Sequence, residues 1–388
     1  MTSSEMLENR LTAGTARELV NGYLVVFFSR GMSLARWERA GLLQRELALY
    51  RELSSHFGRI AFVTYGESGD HALAREFPGI EVLPNRWKLP PNLYSVMAPW
   101  LHRKTLRRAV VFKTNQINGA WCGVVAKTLF RKPLVVRCGF LWSDFMIRLT
   151  TSWWRRVLAR RLERVIFRAA DAIIVAGDAD RATVITRYGI DDDRTYVIPN
   201  YVDTSRFRPM PEIPHEPGRV IFIGRLEDQK NPLSLLDALR GLAGVRLSMI
   251  GDGTLRLLLE QRAKEYGLDV QFFGAVPHES LPRLLNRSEA FILPSHYEGN
   301  PKALFEAMAC GVPVIAARVP GIREVLTHQE TAFLCGTSPP EIRVALRKVL
   351  ADPDLRDRLA VRGLELVQKD RSLARVVQEE LAVLDGLA

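Results

Sequence analysis

Short apolar runs alternate with amphipathic stretches along most of the chain, and that alternation predicts the architecture. Residues 23–28 (YLVVFF), 60–65, 80–83, 109–112, 134–137 and 172–176 are runs of the length and β-branched or aromatic content of buried strands. Between them lie stretches with helical spacing, beginning with one predicted over about 34–56. Strands that are apolar on both faces and separated by helices imply a parallel sheet covered on both sides. Residues 209–217 then hold four prolines and end at Gly218, the strongest linker signal in the sequence. Beyond it the alternation restarts, with strands predicted at 220–223, 246–250, 270–273, 290–293 and 312–316. The pattern therefore predicts an α/β protein of two domains, 1–209 and 218–369, followed by an amphipathic helix over about 370–388. A chain of 388 residues is long enough for two separate cores.

The densest local signal is 291–317, FILPSHYEGNPKALFEAMACGVPVIAA. A strand stops at Pro294, a polar turn follows, a helix is predicted over 302–310, and Gly311 with Pro313 ends it before the next strand. Asn300 is the expected N-cap and Pro301 suits the first helical position. Glu298-Gly299-Asn300-Pro301-Lys302 thus sits where free N–H groups and the positive end of a helix dipole favour an anion. Glu298 and Glu306, with seven residues between them, are acceptors for hydroxyl pairs such as those of a sugar ring or a ribose. Taken alone, each of these glutamates is also an ordinary solvated charge.

A second cluster follows the strand at 220–223. Gly224 permits a tight turn, and Arg225 and Lys230 bring two cations to one place, a fork and a point charge for phosphate oxygens. Gly251-Asp252-Gly253 and Gly274-Ala275-Val276 are further glycine turns after strands. The first is not a dinucleotide fingerprint, because Arg256 occupies the third glycine position. In the first half, Gly31 marks the turn after the first strand. Asp178-Ala179-Asp180 has the spacing of a carboxylate pair for a divalent cation, but Asp178 at a helix start reads as a cap.

The run from Glu298 through Glu306 into AMACGVPVIA, with Gly224-Arg225 and Lys230 about 70 residues earlier, resembles the nucleotide-sugar site of retaining glycosyltransferase family 4. The resemblance implies a GT-B fold, two Rossmann-like α/β/α domains facing each other across a deep cleft, with the last helix crossing back to the first domain. It implies that Arg225 and Lys230 hold the donor diphosphate and Glu298 the sugar. Glu306 would contact the ribose, and Gly224, Gly251, Gly274, Val276, Gly299, Asn300, Pro301 and Lys302 would line the donor, with Gly31 opposite. The donor would be UDP- or GDP-linked, the leaving phosphate would take the acceptor proton, and neither a metal ion nor a further cofactor would be needed. One departure stands out: relatives often carry a histidine near residue 137, where this chain has Arg137-Cys138-Gly139. Arg137 replaces it, or the site is arranged differently. The histidines nearest recognisable segments are His102, His278 and His296.

Charge adds a partner. The net charge is +11, and the first 200 residues hold 30 Lys and Arg against 18 Asp and Glu, whereas the remainder holds 24 against 25. Residues 82–170 carry 18 basic residues and two acids, Asp144 and Glu163. Trp153-Trp154-Arg155-Arg156 opens a basic helix that suits an anionic membrane surface if its tryptophans are exposed, or a core if they are buried. The expectation is an enzyme of the cytoplasm, peripheral on the inner face of the cytoplasmic membrane, acting on a glycan or lipid-linked acceptor in cell-envelope polysaccharide synthesis. No run of about 18 apolar residues is present, and residues 1–20 lack the apolar core of a secretory signal. Cys122, Cys138, Cys310 and Cys335 have the spacing of separate buried thiols. A nucleotide-sugar epimerase on the same fold is the competing enzyme class. Nucleic acid is not expected, because the basic residues carry no zinc-finger or RNA-recognition signature.

Overall fold

A computed structural model describes residues 22–67, 69–139, 141–143 and 152–387. The N-terminal stretch, Phe140 and Asp144 lie outside them. The chain opens with β1 (Tyr23–Phe27), α1 (Leu34–Arg39), α2 (Leu43–Leu53), β2 (Arg59–Val63), α3 (Gly69–Ala74), β3 (Ile80–Leu83), α4 (Pro91–Leu101) and α5 (Arg103–Leu106). It continues through β4 (Ala109–Thr114), α6 (Ala120–Phe130), β5 (Leu134–Cys138), α7 (Trp153–Ala169), β6 (Ala172–Val175), α8 (Asp178–Tyr188) and β7 (Thr195–Val197). The second run is β8 (Glu216–Ile223), α9 (Pro232–Leu239), β9 (Arg246–Ile250), α10 (Arg256–Glu265), β10 (Val270–Gly274), α11 (Leu281–Asn286), β11 (Ser288–Leu293) and α12 (Lys302–Ala309). It closes with β12 (Val314–Ala317), α13 (Pro320–Arg323), β13 (Phe333–Cys335), α14 (Pro339–Ala351), α15 (Pro353–Asp370) and α16 (Leu373–Asp385).

These elements form two compact units, one of residues 1–200 with 374–388 and one of residues 201–373. The first holds a parallel sheet in the order β3-β2-β1-β4-β5-β6-β7, and the second a parallel sheet in the order β10-β9-β8-β11-β12-β13. Each order reverses beside its first strand, between β1 and β4 and between β8 and β11, the signature of a doubly wound α/β sheet. The central strands are apolar because both faces are covered: every residue of β1 and β12 is buried.

Three local differences from the sequence pattern have physical reasons. The helix expected over 34–56 is two helices, because Gly41, at φ +66°, breaks the chain after Ala40. The strands β7 and β13 are three residues long, too short to show a period. The proline-rich stretch does not run up to the strand; its last residues, Glu216 to Gly218, already belong to β8.

In the first unit the C-terminal helix α16 is anchored by a buried ion group. Lys113 Nζ on β4 lies 2.5 Å from Glu380 Oε2, and Arg137 Nη1 on β5 lies 2.6 Å from Glu380 Oε1. Arg137 also donates to the Pro199 carbonyl at 3.3 Å. Its guanidinium is therefore held between α16 and the Pro199 carbonyl. Burial lowers the pKa of Lys113, and the neighbouring Glu380 carboxylate opposes that shift. All four cysteines are buried thiols, and burial pushes Cys335 up to about 12.

Candidate functional site

In an open α/β sheet, ligands gather at the carboxyl ends of the strands where the order reverses. In the second unit that place lies between β8 and β11, and the two sequence clusters singled out above meet there. Lys230 Nζ is 2.5 Å from Glu298 Oε1, although 68 residues separate them along the chain. The Ser295 hydroxyl donates to the same oxygen at 2.6 Å. The two side chains are only 15% and 5% exposed, so the charges face each other out of bulk water. The loops that carry them are laced together. Gln229 donates to the Tyr297 carbonyl at 3.2 Å, and the His296 amide donates to the Gln229 carbonyl at 2.9 Å. Asn231 donates to the carbonyls of Pro294 and Thr337 at 3.1 and 2.8 Å. Arg225 joins this group from the rim, donating to Gln229 Oε1 at 2.9 Å.

The cap of the helix after this loop lies one residue later than the sequence suggests. Pro301 occupies the N-cap of α12, Lys302 is the first helical residue, and no side chain caps the helix. Asn300 is not the cap, because its carboxamide oxygen accepts a hydrogen bond from Arg371 Nη1 at 3.0 Å. The Arg371 guanidinium is buried and lies 3.8 Å above the Phe305 ring. Burial lowers its pKa to about 10, which still leaves it charged at neutral pH. Arg371 thus clamps both ends of the turn into α12. Behind the turn, a Cβ on Gly321 would lie 2.3 Å from the Gly299 carbonyl oxygen and 2.4 Å from that of Glu298, so only glycine lets α13 approach this closely. In front of Gly299 the space is open: nothing lies within 4 Å of where its Cβ would be.

Glu306, on the buried side of α12, is 2.8 Å from His278 Nε2. His278 follows Val276 in the loop after β10, so the Gly274–Val276 turn and the Glu306 carboxylate are tied together. Gly224, Gly251 and Gly274 occupy adjacent strand ends: Gly224 N–H donates to Ile250 O at 3.0 Å, and Gly251 N–H to Gly274 O at 2.8 Å. At φ +126°, a Cβ on Gly251 would sit 1.9 Å from Gly224 O, which fixes glycine there. The result is a continuous rim of backbone along the ends of β8, β9 and β10, with the Lys230–Glu298 pair at its end. Chemically it offers cations and uncapped helix N–H groups to an anion, and carboxylates to hydroxyls.

The remaining residues of interest lie in the first unit. Gly31, at φ +78°, turns the chain after β1 and lines a 440 Å³ cavity with Arg36, Arg39, Asp70, Asn85 and Lys88. Asp70 is buried there, accepting from the Thr64 hydroxyl at 2.7 Å and from the Ala35 amide at the start of α1 at 3.1 Å. His102 is buried and hydrogen-bonded to the Tyr94 hydroxyl at 2.8 Å. Burial, with Arg86 nearby, holds its pKa down at about 4, so it is neutral. Asp178 is not the cap of α8, since Gly177 takes that position. Asp178 and Asp180 lie in the first turn, where carboxylates offset the helix dipole. Among the described residues no group of three or more His, Cys, Asp or Glu is arranged to hold a metal ion. Gln229, Gly321 and Arg371 were invisible as site residues in the sequence. Each acts through a partner remote in the chain, and no local motif marks it.

Two doubly wound units, with paired charges and glycine turns at the switch point of the second, define an α/β protein of the GT-B class. The family comparisons agree. Residues 203–365 match the profile described as Glycosyl transferases group 1, and residues 46–206 match that described as Glycosyltransferase Family 4. The chain belongs to this glycosyltransferase family. Among curated relatives, a glycogen synthase of Mycobacterium tuberculosis is 28% identical over 223 residues, covering 54% of this chain and 53% of that protein. The lipopolysaccharide core biosynthesis glycosyltransferase LpsD of Rhizobium meliloti is 30% identical over 200 residues, 49% of this chain and 57% of that one. The chain spans about half the length of the curated relatives it matches. Among solved structures, Anabaena HepE in complex with UDP superimposes with a TM-score of 0.77 at 20% identity, over 94% of this chain and all of that one.

Proposed function

We propose that this glycosyltransferase moves a sugar from a UDP- or GDP-linked donor to a glycan or lipid-linked acceptor, with retention at the anomeric carbon and without a metal ion. The observation that carries the reading is the Lys230–Glu298 pair at the β8/β11 switch point, beside the open face of Gly299 and the uncapped start of α12. When the anomeric C–O bond breaks, negative charge grows on the departing diphosphate. Lys230, Arg225 and the first N–H groups of α12 are placed to oppose that charge more strongly in the transition state than in the bound donor. Glu298 accepts hydrogen bonds from the sugar hydroxyls, and Glu306, oriented by His278, from the ribose. The Gly224, Gly251 and Gly274 rim and the segment at Val276 supply backbone groups to the nucleotide. The leaving phosphate takes the acceptor proton, so the protein supplies no nucleophile.

Support for the uridine series comes from Anabaena HepE, which was solved with UDP and with UDP-glucose. LpsD, named for lipopolysaccharide core biosynthesis, supports an acceptor of the cell envelope. The reading presents that acceptor at the inner face of the cytoplasmic membrane. No described helix is long and apolar enough to cross a membrane. The test is a thermal-shift series with UDP, GDP, ADP and their sugar conjugates, each with and without EDTA. A ligand at about 100 times its Kd stabilises the folded state by about 2.7 kcal/mol. The expected result is a shift with one nucleotide series, unchanged by EDTA, with the extra shift of the sugar conjugate over the bare nucleotide lost in Glu298→Gln. A shift that needs a divalent cation would overturn the metal-free reading, and no shift with any nucleotide would overturn the site.

A further inference from the structure

A surface helix normally turns its charged face to water. The helix α4 does the opposite. It contains no charged residue, its buried face is Tyr94, Ser95, Ala98 and Pro99, and its outward face is Leu93, Val96, Met97 and Trp100. Those four positions have helical spacing and are 49%, 48%, 37% and 43% exposed. The feature is not isolated. Both α4 and α7 pack against α6, and the buried residues of all three share one core cluster with β1, β4 and β5. They form a helical layer over one face of the first sheet. On that layer α6 exposes Leu129, while α7 exposes Trp153 at 73%, Trp154 at 53%, Val157, Leu158 and Val165. The exposed large apolar residues of the second unit, by contrast, are Leu257, Leu258, Val344 and Val361, scattered over three helices.

Charge says what covers this layer. Arg86 and Lys88 precede α4, Arg103, Lys104, Arg107 and Arg108 follow it, and all six are exposed. Along α7, Arg155, Arg160, Arg161, Arg164 and Arg168 are exposed between the apolar positions. Glu163, the acid within α7, is buried and accepts hydrogen bonds from the Ser143 amide and the Tyr188 hydroxyl, so it offsets none of this at the surface. At the C-terminal end of α4 a 730 Å³ cavity along the edge strand β3 is lined by Arg59, Arg75, Arg86, Arg103 and Lys104, with Glu81 its one acid. Apolar side chains with tryptophans among them, rimmed by cations, match a bilayer interface: acyl boundary for the apolar face, headgroup depth for Trp, lipid phosphate for Arg and Lys. A soluble protein partner would supply the apolar contact but gives no reason for a rim of one sign.

We infer that the α4–α6–α7 layer docks the first unit on an anionic phospholipid bilayer, with the α4 face inserted and the flanking cations on lipid phosphates. The inference deepens the proposed membrane-side acceptor and rests on that reading for its purpose. Pro91, the first residue of α4, and the adjoining Lys88 and Leu89 also line the 440 Å³ cavity that contains Gly31. A docked layer therefore brings the α4 edge of that cavity close to the lipid surface.

The experiment is co-sedimentation of the full chain with phosphatidylglycerol/phosphatidylethanolamine vesicles and with phosphatidylcholine vesicles. The full chain is expected to bind the anionic vesicles only, and less tightly as salt rises. Val96→Glu/Trp100→Glu should lower the partition coefficient at least tenfold, and each of Arg103→Gln and Lys104→Gln roughly fivefold. Leu257→Glu/Leu258→Glu in the second unit should change nothing. Each variant's melting temperature and its nucleotide-induced thermal shift are measured alongside. Loss of vesicle binding with an intact nucleotide shift supports docking as a function separate from donor binding. Equal binding to both vesicle types, or wild-type binding by Val96→Glu/Trp100→Glu, would overturn the inference. So would a self-association in sedimentation velocity that this variant abolishes without any vesicle binding by the parent chain.

Discussion

The two units share one architecture and use it in opposite ways. Both are doubly wound parallel sheets with a reversal of strand order beside the first strand. In the second unit the chemistry is concentrated at the strand ends, where Lys230 and Glu298 pair, the glycine turns stack and remote residues brace the loops. Its outer helices are ordinary. In the first unit the strand ends hold a modest cavity, and the unusual surface is the outer helical layer, apolar and cationic. Fold alone assigns neither role; the residues grafted onto it do.

The buried charges sharpen the contrast. Lys113, Glu380 and Arg137 close on one another inside the first unit, with Lys113 and Glu380 wholly excluded from solvent. Lys230 and Glu298 lie at a strand end beside open space. On the proposed function the first group is scaffold and the second meets the donor. The largest expected effect therefore comes from Glu380→Ala, which strands two cations in the core. Denaturant unfolding should register a loss of about 3–5 kcal/mol. Next is Lys230→Ala, expected to cost ~10²–10³ in turnover, about 2.7–4 kcal/mol of barrier, at little cost in stability. Turnover unchanged in a folded Lys230→Ala protein would break the comparison, because both ion groups would then be scaffold.

A third prediction concerns pH. His102 stays neutral in the fold down to about 4, whereas in the unfolded chain it takes up a proton near its ordinary 6.5. The unfolded state binds that proton first, so this contribution is complete above pH 6.5 and is lost as pH falls toward 4. The amount is of the order of 3 kcal/mol, read as a fall in the urea midpoint over that window, and His102→Gln should flatten it. The smallest expected effect is Arg371→Gln. It gives up a charged hydrogen bond to Asn300 and the stacking on Phe305, about 1.5–3 kcal/mol in melting experiments. Because Arg371 touches the turn into α12, the nucleotide-induced thermal shift should weaken too; a shift of full size would separate the clamp from the site.

The legible part of the molecule was whatever obeys a short-range rule. Strands apolar on both faces announce a parallel α/β sheet, and Gly251 has to be glycine in a turn after a strand. The glutamates and cations of 224–306 were legible as types at a spacing. Failures came where a local preference met a remote partner. Asn300 before Pro301 has the sequence of a cap, yet Arg371 takes its side chain. For the tryptophans of 153–154 the surrounding basic charge favoured a membrane surface, but their burial was not legible in the sequence.

By itself the sequence determined the fold class and the kinds of chemistry on offer, because hydrophobic periodicity and turn geometry act over a few residues. Only the tertiary structure decided which charges meet. Ion pairs such as Lys230–Glu298 and Lys113–Glu380 join residues 68 and 267 positions apart, and their partners are chosen by strand order. It also decided which apolar residues remain outside, because the outward face of α4 is apolar in composition just as a core helix is. Exposure is a property of what packs against a residue, and no residue carries that in its own name.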